Sequence, residues 1–353
     1  MASRITIADV SREAGVGVAT VSRALSPRDH PDVSASTREH VRSVADKLGY
    51  RPSYAARALR SRDYHAISIF VPDRMWAWWE PAVREAYIAA DGLGYRTLVQ
   101  PFIPSHSLDL GPRKGLPADS KAAKAASAVA SLVEIPTDGV LIFGSADDAS
   151  VRDAATRLRL PIVTVDDVAD PVLVPTVATD NRAGVRFAVE HLISRGRKRI
   201  AYVGSTWDTL YTRERRAGYE SALADAGIRF DPRLVISCSN VGDESLRTYP
   251  EFDRFIASRP EIDAIVCEAD ELAPPVLRSL RANGLRVPDD VSIVGFDDER
   301  AALLVDPPLT TIRQPYEELA RCSLQLLVRA MGGEQLEVTR QLIVPQLVVR
   351  SST

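Results

Sequence analysis

Apolar residues in the first fifteen positions recur at helical spacing. Ile7, Val10 and Ala14 are three and four residues apart, which predicts the buried face of a short helix. Thr6 is followed three residues later by Asp9, a pattern typical of a capping box at a helix N-terminus. The glycine after Ala14 suits the left-handed conformation that ends many helices. The pattern therefore predicts a first helix with defined ends.

Two further helices are predicted before residue 50. Val21 and Leu25, four residues apart, indicate the buried side of a second helix that begins near Val18. Ser34 or Ser36 can cap a third helix, which ends at a glycine and carries the apolar residues Val41, Val44, Ala45 and Leu48. The spacing thus predicts a small all-α unit in which two short helices are joined by a tight turn.

The other face of the second helix has the composition of a DNA-reading surface. Its side chains are small, hydroxylated or cationic and include no acid: Val18, Ala19, Thr20, Ser22 and Arg23. Hydroxyls suit phosphates, arginine suits guanine edges and methyl groups suit thymine. The alternative is a helical hairpin whose polar face meets only water, but such a face normally mixes Glu and Lys. We expect DNA binding.

The segment 50–62 is short, cationic and rich in alanine, and it admits two interpretations. A helix this short is marginal in water, so the segment is either a basic linker or a helix that folds only on DNA. In the second case Leu59, which has no evident core to enter, would act as an apolar wedge in the minor groove.

From residue 65 onward apolar runs of strand length alternate with helical patterns, as in doubly wound parallel sheets. We predict an α/β body of two such subdomains with a cleft between them. The predicted strands are 66–72, 95–99, 139–143, 162–165, 199–204, 234–237, 264–267 and 291–295, with 309–312 and 341–349 passing back through both subdomains.

Charge is distributed unevenly along the chain. The 353 residues carry a net charge of -3, but residues 1–62 contain eleven Arg or Lys against six Asp or Glu. The first segment is therefore +5 and the remainder -8. A basic head on an acidic body concentrates the attraction to phosphate at one end of the molecule.

Composition and motifs exclude several classes of protein. Three scattered cysteines and five scattered histidines give neither a disulfide framework nor a metal-ligand spacing, so we expect no metal and no cofactor. The N-terminus lacks an apolar signal region, and no stretch reaches the roughly 18 apolar residues of a membrane span, which favours a cytoplasmic protein. Because no nucleophile elbow, zinc motif or acid–base dyad is present, we expect no enzyme.

Candidate ligand-binding residues follow the predicted strands, since ligands of such sheets bind beyond the carboxyl ends of strands. Three tryptophans directly follow the first strand and could stack on a sugar ring, although one of them could equally belong to the core: Trp76, Trp78 and Trp79. The polar and aromatic candidates are Asp166, Asp180, Trp207, Tyr211, Arg213, Asp270 and Asp297. For Asp270 the alternative is an N-cap of the helix that follows.

Several motifs resemble those of LacI-family bacterial transcription regulators. The head motif, from residue 6, is T-I-A-D-V-x-x-x-A-G-V-x-V-A-T-V-S-R, and the segment from residue 50 reads Y-x-P-x-x-x-A-R-x-L. The body resembles the periplasmic-binding-protein-like effector domain of the same family along its whole length. Its closest motifs are G-F-D-D at 295–298, P-x-L-T-T-I-x-Q-P at 307–315 and the final V-x-R-S-S-T, and the motif R-x-R-x-x-G-Y begins at residue 213.

The resemblance implies roles for particular residues. A recognition helix would enter the major groove and a hinge helix would insert paired leucines into the minor groove of operator DNA. The residues implied on DNA are Thr6, Val18, Ala19, Thr20, Ser22, Arg23, Ser26, Tyr50, Ala56, Arg57 and Leu59. Arg213 would bind ring hydroxyl groups or a carboxylate of the effector, and Asp297 would accept hydrogen bonds from hydroxyl groups of the same ligand.

The chain departs from the family pattern at four places. Gly17 stands where relatives usually have Ser, and Ser26 replaces a common Asn. Trp76-Ala77 replaces Asn-Pro, and Ala269 replaces an Asn. The family contacts at these positions therefore do not carry over directly.

Together these observations predict a ligand-responsive repressor that binds a pseudo-palindromic operator as a homodimer, with a sugar or sugar derivative in the cleft. The alternative is a solute-binding or sugar-processing protein that does not act on DNA. The predicted domains are a helix-turn-helix head (1–49), a hinge (50–63), one effector subdomain (64–178 with 297–318) and a second (179–296 with 319–353).

Overall fold

The structure is a computed structural model of the chain. It describes residues 5–26, 30–50, 64–72, 76–102, 136–144, 156–166, 173–239, 249–258 and 261–353, without the side chains of 76–78 and 102. The chain forms two compact units, residues 1–64 and 65–353. Within the described ranges, no helix combines the length and apolar character needed to span a membrane.

The head consists of the three predicted helices, α1 (Ile7–Ala14), α2 (Val18–Ala24) and α3 (Ala35–Lys47). The predicted capping box of α1 is confirmed, because Thr6 Oγ1 accepts the N–H of Asp9 at 3.4 Å and Asp9 Oδ2 accepts the N–H of Thr6 at 2.9 Å. Of the two serines proposed as the cap of α3, Ser34 accepts the N–H of Thr37 at 3.1 Å.

The core of the head is small and aliphatic. Val10, Val21 and Val41, one from each helix, are completely buried against one another. In α2 the predicted buried pair was Val21 and Leu25, but Ala24 is the fully buried neighbour and Leu25 packs only partly. The three helices therefore pack around a single apolar core. Because one face of α2 is held in this core, its opposite face, with Val18, Ala19 and Arg23, points to solvent.

The first sheet of the body has six parallel strands in the order β11-β5-β4-β3-β1-β2. Its strands are β1 (Ala66–Pro72), β2 (Arg96–Phe102), β3 (Gly139–Phe143), β4 (Ile162–Val165), β5 (Thr176–Thr179) and β11 (Arg340–Ile343). Helices α4 (Trp76–Gly92) and α10 (Tyr316–Met331) cover it with apolar side chains. We call this sheet with its two helices the first subdomain.

The second sheet has the order β12-β10-β9-β8-β6-β7, and only its edge strand β12 runs antiparallel to its neighbour. Its strands are β6 (Ile200–Ser205), β7 (Val235–Cys238), β8 (Ala264–Cys267), β9 (Ser292–Asp297), β10 (Thr310–Arg313) and β12 (Gln346–Val348). The accompanying helices are α5 (Asn181–Ser194), α6 (Leu210–Asp225), α7 (Pro250–Ala257), α8 (Ala273–Ala282) and α9 (Arg300–Leu304). We call this the second subdomain.

The backbone passes between the two sheets three times. It crosses from β5 to α5 near residue 180, from β10 to α10 at 314–315 and from β11 to β12 at 344–345. The predicted division, with 297–318 in the first subdomain and 319–353 in the second, is therefore wrong for β10, most of α10 and β11, whereas β12 does lie in the second subdomain. Strand β10 lies in the second sheet, whereas α10 and β11 belong to the first, because apolar patterning does not specify which sheet a strand joins.

Most predicted strands of the body are confirmed within one to three residues, whereas strand β5 and helices α9 and α10 were not predicted. Strand β5 is only four residues long. All four residues are buried, but two of them are threonines, so the strand lacks the continuous apolar run by which buried strands were predicted. Helix α10 follows a proline and buries Leu319, Leu324 and Leu327 against the first sheet. The Pro-, Gly- and Ser-rich composition of 103–120 predicts a surface loop and the alanine-rich pattern of 121–133 predicts a helix, and both stretches lie outside the described residues.

Candidate nucleic-acid interface and effector site

The exposed face of α2 carries the side chains predicted to contact DNA. Val18 is 41% exposed, which is unusual for valine, and Ala19 and Arg23 are also exposed. Thr20 and Ser22 are half-buried beside them. The burial of Val21 and Ala24 holds these five residues on the outside, where a helix can present them to the edges of bases.

Arg23 is ion-paired with Asp32, which lies in the loop before α3. Both side chains are half exposed, at 50% and 51%. An exposed pair of this kind contributes little to folding but limits the directions that the guanidinium can take. Asp32 was not among the predicted interface residues, because sequence spacing gave no sign that it would reach α2.

The two ends of α2 are the places where the chain departs from the family pattern in the head. Gly17 is the N-cap of α2 and supplies no side-chain hydrogen bond there, which agrees with the loss of a cap expected from Gly in place of Ser. Ser26 follows the C-cap and is half-buried, and its N–H donates to the carbonyl of Arg23 at 3.2 Å. Tyr50 packs partly against the core of the head.

Several predicted site residues lie outside the described residues. These are Ala56, Arg57 and Leu59 of the predicted hinge and the side chains of Trp76 and Trp78. Their assignments stay predictions.

Trp79 packs inside the first subdomain. Its ring meets Phe143 edge-on with the ring centroids 5.6 Å apart, and it contacts the core beneath α4. The structure thus favours the core-packing alternative for this tryptophan. Trp207 likewise packs partly against the core of the second subdomain.

Arg215 on α6 is the centre of a buried polar cluster. Its Nε–H donates to Asn181 Oδ1 at 2.9 Å, one Nη1–H to the carbonyl of Glu268 at 2.7 Å, and one Nη2–H to Asp297 Oδ1 at 3.2 Å. The guanidinium also lies 3.6 Å from the ring centroid of Phe296. Each of its three nitrogens therefore has a partner: Glu268 and Asp297 lie at the carboxyl ends of β8 and β9, and Asn181 lies at the start of α5.

Arg213, the predicted ligand-binding arginine, is not part of this cluster. Its side chain is half exposed and pairs with Asp208, with Nη1 to Oδ1 at 2.8 Å. Side chains two residues apart on a helix are about 200° apart around its axis, so Arg213 and Arg215 lie on nearly opposite faces of α6. The structure buries the second arginine of the R-x-R motif, not the first, in this cluster, and a ligand contact by Arg213 stays a prediction.

A chain of hydrogen bonds joins the two subdomains beside Arg215. Gln314 donates from Nε2 to Asp297 Oδ1 at 2.7 Å and accepts from Thr179 Oγ1 at 2.6 Å. Asp166, at the end of β4, accepts the N–H of Thr179 at 2.7 Å. Because Thr179 and Gln314 lie at two of the three crossings, a ligand here would contact both subdomains.

Burial dominates the electrostatics of this cluster. It raises the pKa of Asp166 to about 6, against which the N–H of Thr179 and the charge of Arg215 act. It also raises the pKa of Asp297, which Arg215 and Gln314 partly oppose. Tyr211 lies beside Arg215, with the guanidinium carbon 5.3 Å from its ring centroid, and burial raises its pKa as well.

Two predicted aspartates serve the fold. Asp180 caps α5 by accepting the N–H of Ala183 at 2.9 Å. Asp270 is fully buried, and its carboxylate accepts from Thr311 Oγ1 at 2.6 Å and from the N–H of Glu299 at 2.9 Å. Asp270 therefore does not cap the helix that follows it, and its role as a ligand contact stays a prediction.

Three glutamates near this cluster were not predicted. Glu268 is buried, accepts from Tyr202 and Ser205, and has a pKa raised by its burial. Burial together with the charge of Asp297 raises the pKa of Glu271 and of Glu299 to about 8 each. The signal in the sequence was the group of acids that follows β8 and the one that follows β9, but nothing in their spacing indicated their burial.

A cavity of about 800 Å³ opens at this cluster between the two subdomains. Asp297, Glu299, Gln314 and Tyr316 line one wall, and the first half of α4 lines the other. Below, we call it the inter-sheet cavity. It lies beyond the carboxyl ends of strands, where ligands of open α/β sheets bind.

Comparison with known proteins bears on both units. Residues 6–53 match the family described as bacterial regulatory proteins, lacI family, and residues 189–353 match a periplasmic binding protein-like domain. The HTH-type transcriptional regulator CelR of Thermobifida fusca is 31% identical over 354 residues, covering 99% of this chain and 98% of CelR. The chain belongs to the LacI family.

Solved structures of LacI-family members agree with this assignment. The Lac repressor dimer bound to operator and an anti-inducer superposes with a TM-score of 0.78 at 25% identity, covering 99% of each chain. A CelR–cellobiose complex gives a TM-score of 0.64 at 28% identity, covering 99% of this chain and all of the other. The predicted family and fold class are confirmed: the chain is a LacI-family transcriptional regulator with a helix-turn-helix DNA-binding head.

Proposed function

We propose that this LacI-family regulator represses transcription in the cytoplasm by binding a pseudo-palindromic operator as a homodimer. The exposed face of α2 supports a reading role, because it combines Arg23 with the small residues Val18 and Ala19. Arg23 would contact a guanine edge, and the hydroxyls of Thr6, Thr20 and Ser22 would contact phosphates. In the Lac repressor complex the protein is likewise a dimer on operator DNA.

We propose further that a small polyhydroxylated molecule, a sugar or sugar derivative, binds in the inter-sheet cavity and sets operator affinity. The observation that carries this proposal is the buried chain Arg215–Asp297–Gln314–Thr179, since it touches both subdomains at two crossings. A ligand that binds one relative arrangement of the subdomains more tightly would shift the protein toward it. CelR has been solved with the sugar cellobiose.

The hinge remains part of this proposal. Residues 50–63 would fold as a helix on DNA, with Leu59 entering the minor groove, so that movement of the body could order or release them.

The DNA part is tested by selecting duplexes from a random-sequence library with the full chain. We expect an inverted repeat to be enriched and the complex to contain two protein chains by analytical ultracentrifugation. Enrichment of a single unrepeated site, or of no sequence, would overturn the operator proposal. Fluorescence anisotropy on the selected duplex, with and without candidate effectors, then tests ligand control.

A further inference from the structure

An acidic side chain lies against the exposed face of α2, the face with which this regulator is proposed to read DNA. Asp32 Oδ2 accepts a hydrogen bond from Nη1 of Arg23. Asp32 is not part of α2 but belongs to the segment between α2 and α3. Because DNA carries a dense row of phosphate charges, it repels a carboxylate that approaches it. The pair therefore brings a negative charge to a surface that otherwise attracts DNA.

The backbone holds Asp32 in place from both sides. The N–H of Val33 donates to the carbonyl of His30 at 3.0 Å, which closes a turn with Pro31 and Asp32 at its two central positions. Proline restricts the backbone at the first of these positions. Val33 is buried in the core of the head, and the next residue, Ser34, caps α3. The direction of the Asp32 side chain is therefore set by the fold of the head.

Arg23 is also carried by a fixed backbone. Its neighbours on α2, Val21 and Ala24, are completely buried, so the helix cannot rotate about its axis without exposing them. The guanidinium is half exposed, and its Nε and Nη2 make no hydrogen bond to a described residue. These two nitrogens can form a pair of parallel hydrogen bonds to a guanine edge. The contact with Asp32 thus occupies one nitrogen and leaves a bidentate edge open.

A guanidinium paired in this way distinguishes a guanine from a phosphate. Guanine O6 and N7 are uncharged acceptors, so they can accept from Nε and Nη2 of Arg23 while Asp32 stays on Nη1. A phosphate on the same guanidinium would lie close to the carboxylate of Asp32, and their repulsion strengthens when water is expelled. Nonspecific binding depends almost wholly on phosphate contacts. The carboxylate should therefore weaken nonspecific binding more than it weakens binding to a guanine.

We propose that Asp32 is a positioning residue that sets the sequence specificity of this regulator. It directs Arg23 toward a guanine edge and keeps the same guanidinium from phosphates elsewhere on DNA. Asp32 itself contacts no base and acts only through Arg23. The proposal rests on the operator binding proposed above and adds to it a residue outside the recognition helix.

The main variant is Asp32→Asn in the full chain, because asparagine keeps the size of the side chain and removes its charge. The matched control is Asp46→Asn, at an exposed position on α3 of the same head, which changes the net charge equally. Arg23→Ala and the double variant Arg23→Ala with Asp32→Asn complete a double-mutant cycle.

The first measurement is the specificity ratio, the affinity for the selected operator divided by the affinity for a shuffled duplex of equal length. Both affinities are measured by fluorescence anisotropy over a series of KCl concentrations. We expect Asp32→Asn to bind the shuffled duplex about three- to tenfold more tightly than Asp46→Asn, with operator affinities equal within about threefold. The salt dependence on the shuffled duplex should steepen by about one phosphate contact relative to Asp46→Asn.

The second measurement is the base preference at one position of each half-site. Library selection with Arg23→Ala identifies the guanine that Arg23 reads, because the preference for it disappears. We expect Asp32→Asn to reduce that preference by about fivefold, and to change nothing further in the Arg23→Ala background. A purely structural role of Asp32 would not alter the preference at a single base.

Equal specificity ratios in Asp32→Asn and Asp46→Asn would overturn the proposal. A switch of the preferred base in Asp32→Asn would also overturn it, because Asp32 would then contact a base itself. The same holds for an effect of Asp32→Asn that persists without Arg23. Failure of the proposed function is distinguishable, since the parent would then select no inverted repeat, whereas an inverted repeat with equal ratios refutes only the role of Asp32.

Discussion

Arg215 on α6 donates to Asp297 at the end of β9 with an Nη2–Oδ1 distance of 3.2 Å, and both side chains are about 6% exposed. The pair anchors the second subdomain at the point where the chain passes through Gln314 into the first. Stability and ligand response should therefore depend on the same two residues.

We expect Arg215→Met to destabilise the body by about 3–5 kcal/mol, because Asp297 is left buried without its cationic partner. The free energy of unfolding from urea denaturation measures this. The control is Arg213→Ala, which removes an arginine two residues away from an exposed pair with Asp208 and should cost less than about 1 kcal/mol. Equal losses for the two variants would show that Arg215 does not hold Asp297 in this way.

Asp166→Asn should raise thermal stability in a pH-dependent manner. Burial raises the pKa of Asp166 from 3.8 to about 6 in the folded chain, so the folded state binds the proton more tightly than the unfolded state. The parent protein therefore loses stability as pH rises from about 4 through 6. Asparagine has no proton to lose, so the variant avoids this loss, and its side-chain oxygen can still accept the N–H of Thr179.

The measurement for Asp166→Asn is the difference in Tm between variant and parent at pH 4, 5, 6 and 7. We expect it to grow across that range. Asp91→Asn, at an exposed position on α4, should show no such growth. A constant difference for Asp166→Asn would contradict the predicted direction.

Gly218→Ala should destabilise the protein although alanine is the better helix former. A Cβ at Gly218 on α6 would lie 2.5 Å from the carbonyl oxygen of Arg182 on α5, and backbone cannot move aside cheaply. We expect a loss of about 1–3 kcal/mol, opposite in sign to the gain of about 1 kcal/mol that helix propensity alone predicts. Urea denaturation decides between the two signs.

Thr6→Ala should weaken the head by about 1 kcal/mol, because it removes the oxygen that accepts the N–H of Asp9. Thr6→Ser keeps that oxygen and should be close to the parent. Amide hydrogen exchange of α1 in the full chain measures the difference. Equal exchange in the two variants would mean that the capping box does not limit opening of this helix.

Arg23→Ala should separate DNA binding from folding. Its pair with Asp32 is half exposed, so the Tm should change by little, whereas affinity for the selected operator should fall by about ten- to a hundredfold if Arg23 reads a base. Asp32→Asn removes the same pair but keeps the arginine and should retain operator binding. Similar losses of operator affinity in Arg23→Ala and Asp32→Asn would show that the ion pair with Asp32, and not base reading by Arg23, is responsible.

Elements with a repeating apolar pattern or a short capping motif were predicted from the sequence. Elements and contacts that depend on how distant segments pack together were missed. Apolar runs revealed nearly every buried strand, and the T-x-x-D pattern located the start of α1 to the residue. The short strand β5 and the crossing at Gln314 were not found, because neither has a repeating pattern of apolar residues.

The choice between Arg213 and Arg215 shows the same limit. A motif gave both arginines, but only the register of α6 against β9 determines which of them is buried. Glu271 and Glu299 were overlooked for the same reason, since their burial arises from the two strands beside them.

The three crossings also affect how the chain is made and how it can be divided. Strand β11 completes the first sheet and β12 the second, and both come from residues 340–348. During synthesis, neither sheet can acquire its last strand until this segment has left the ribosome. A cut between the subdomains would have to sever the backbone at three places, so these two halves cannot be exchanged between relatives as single contiguous fragments.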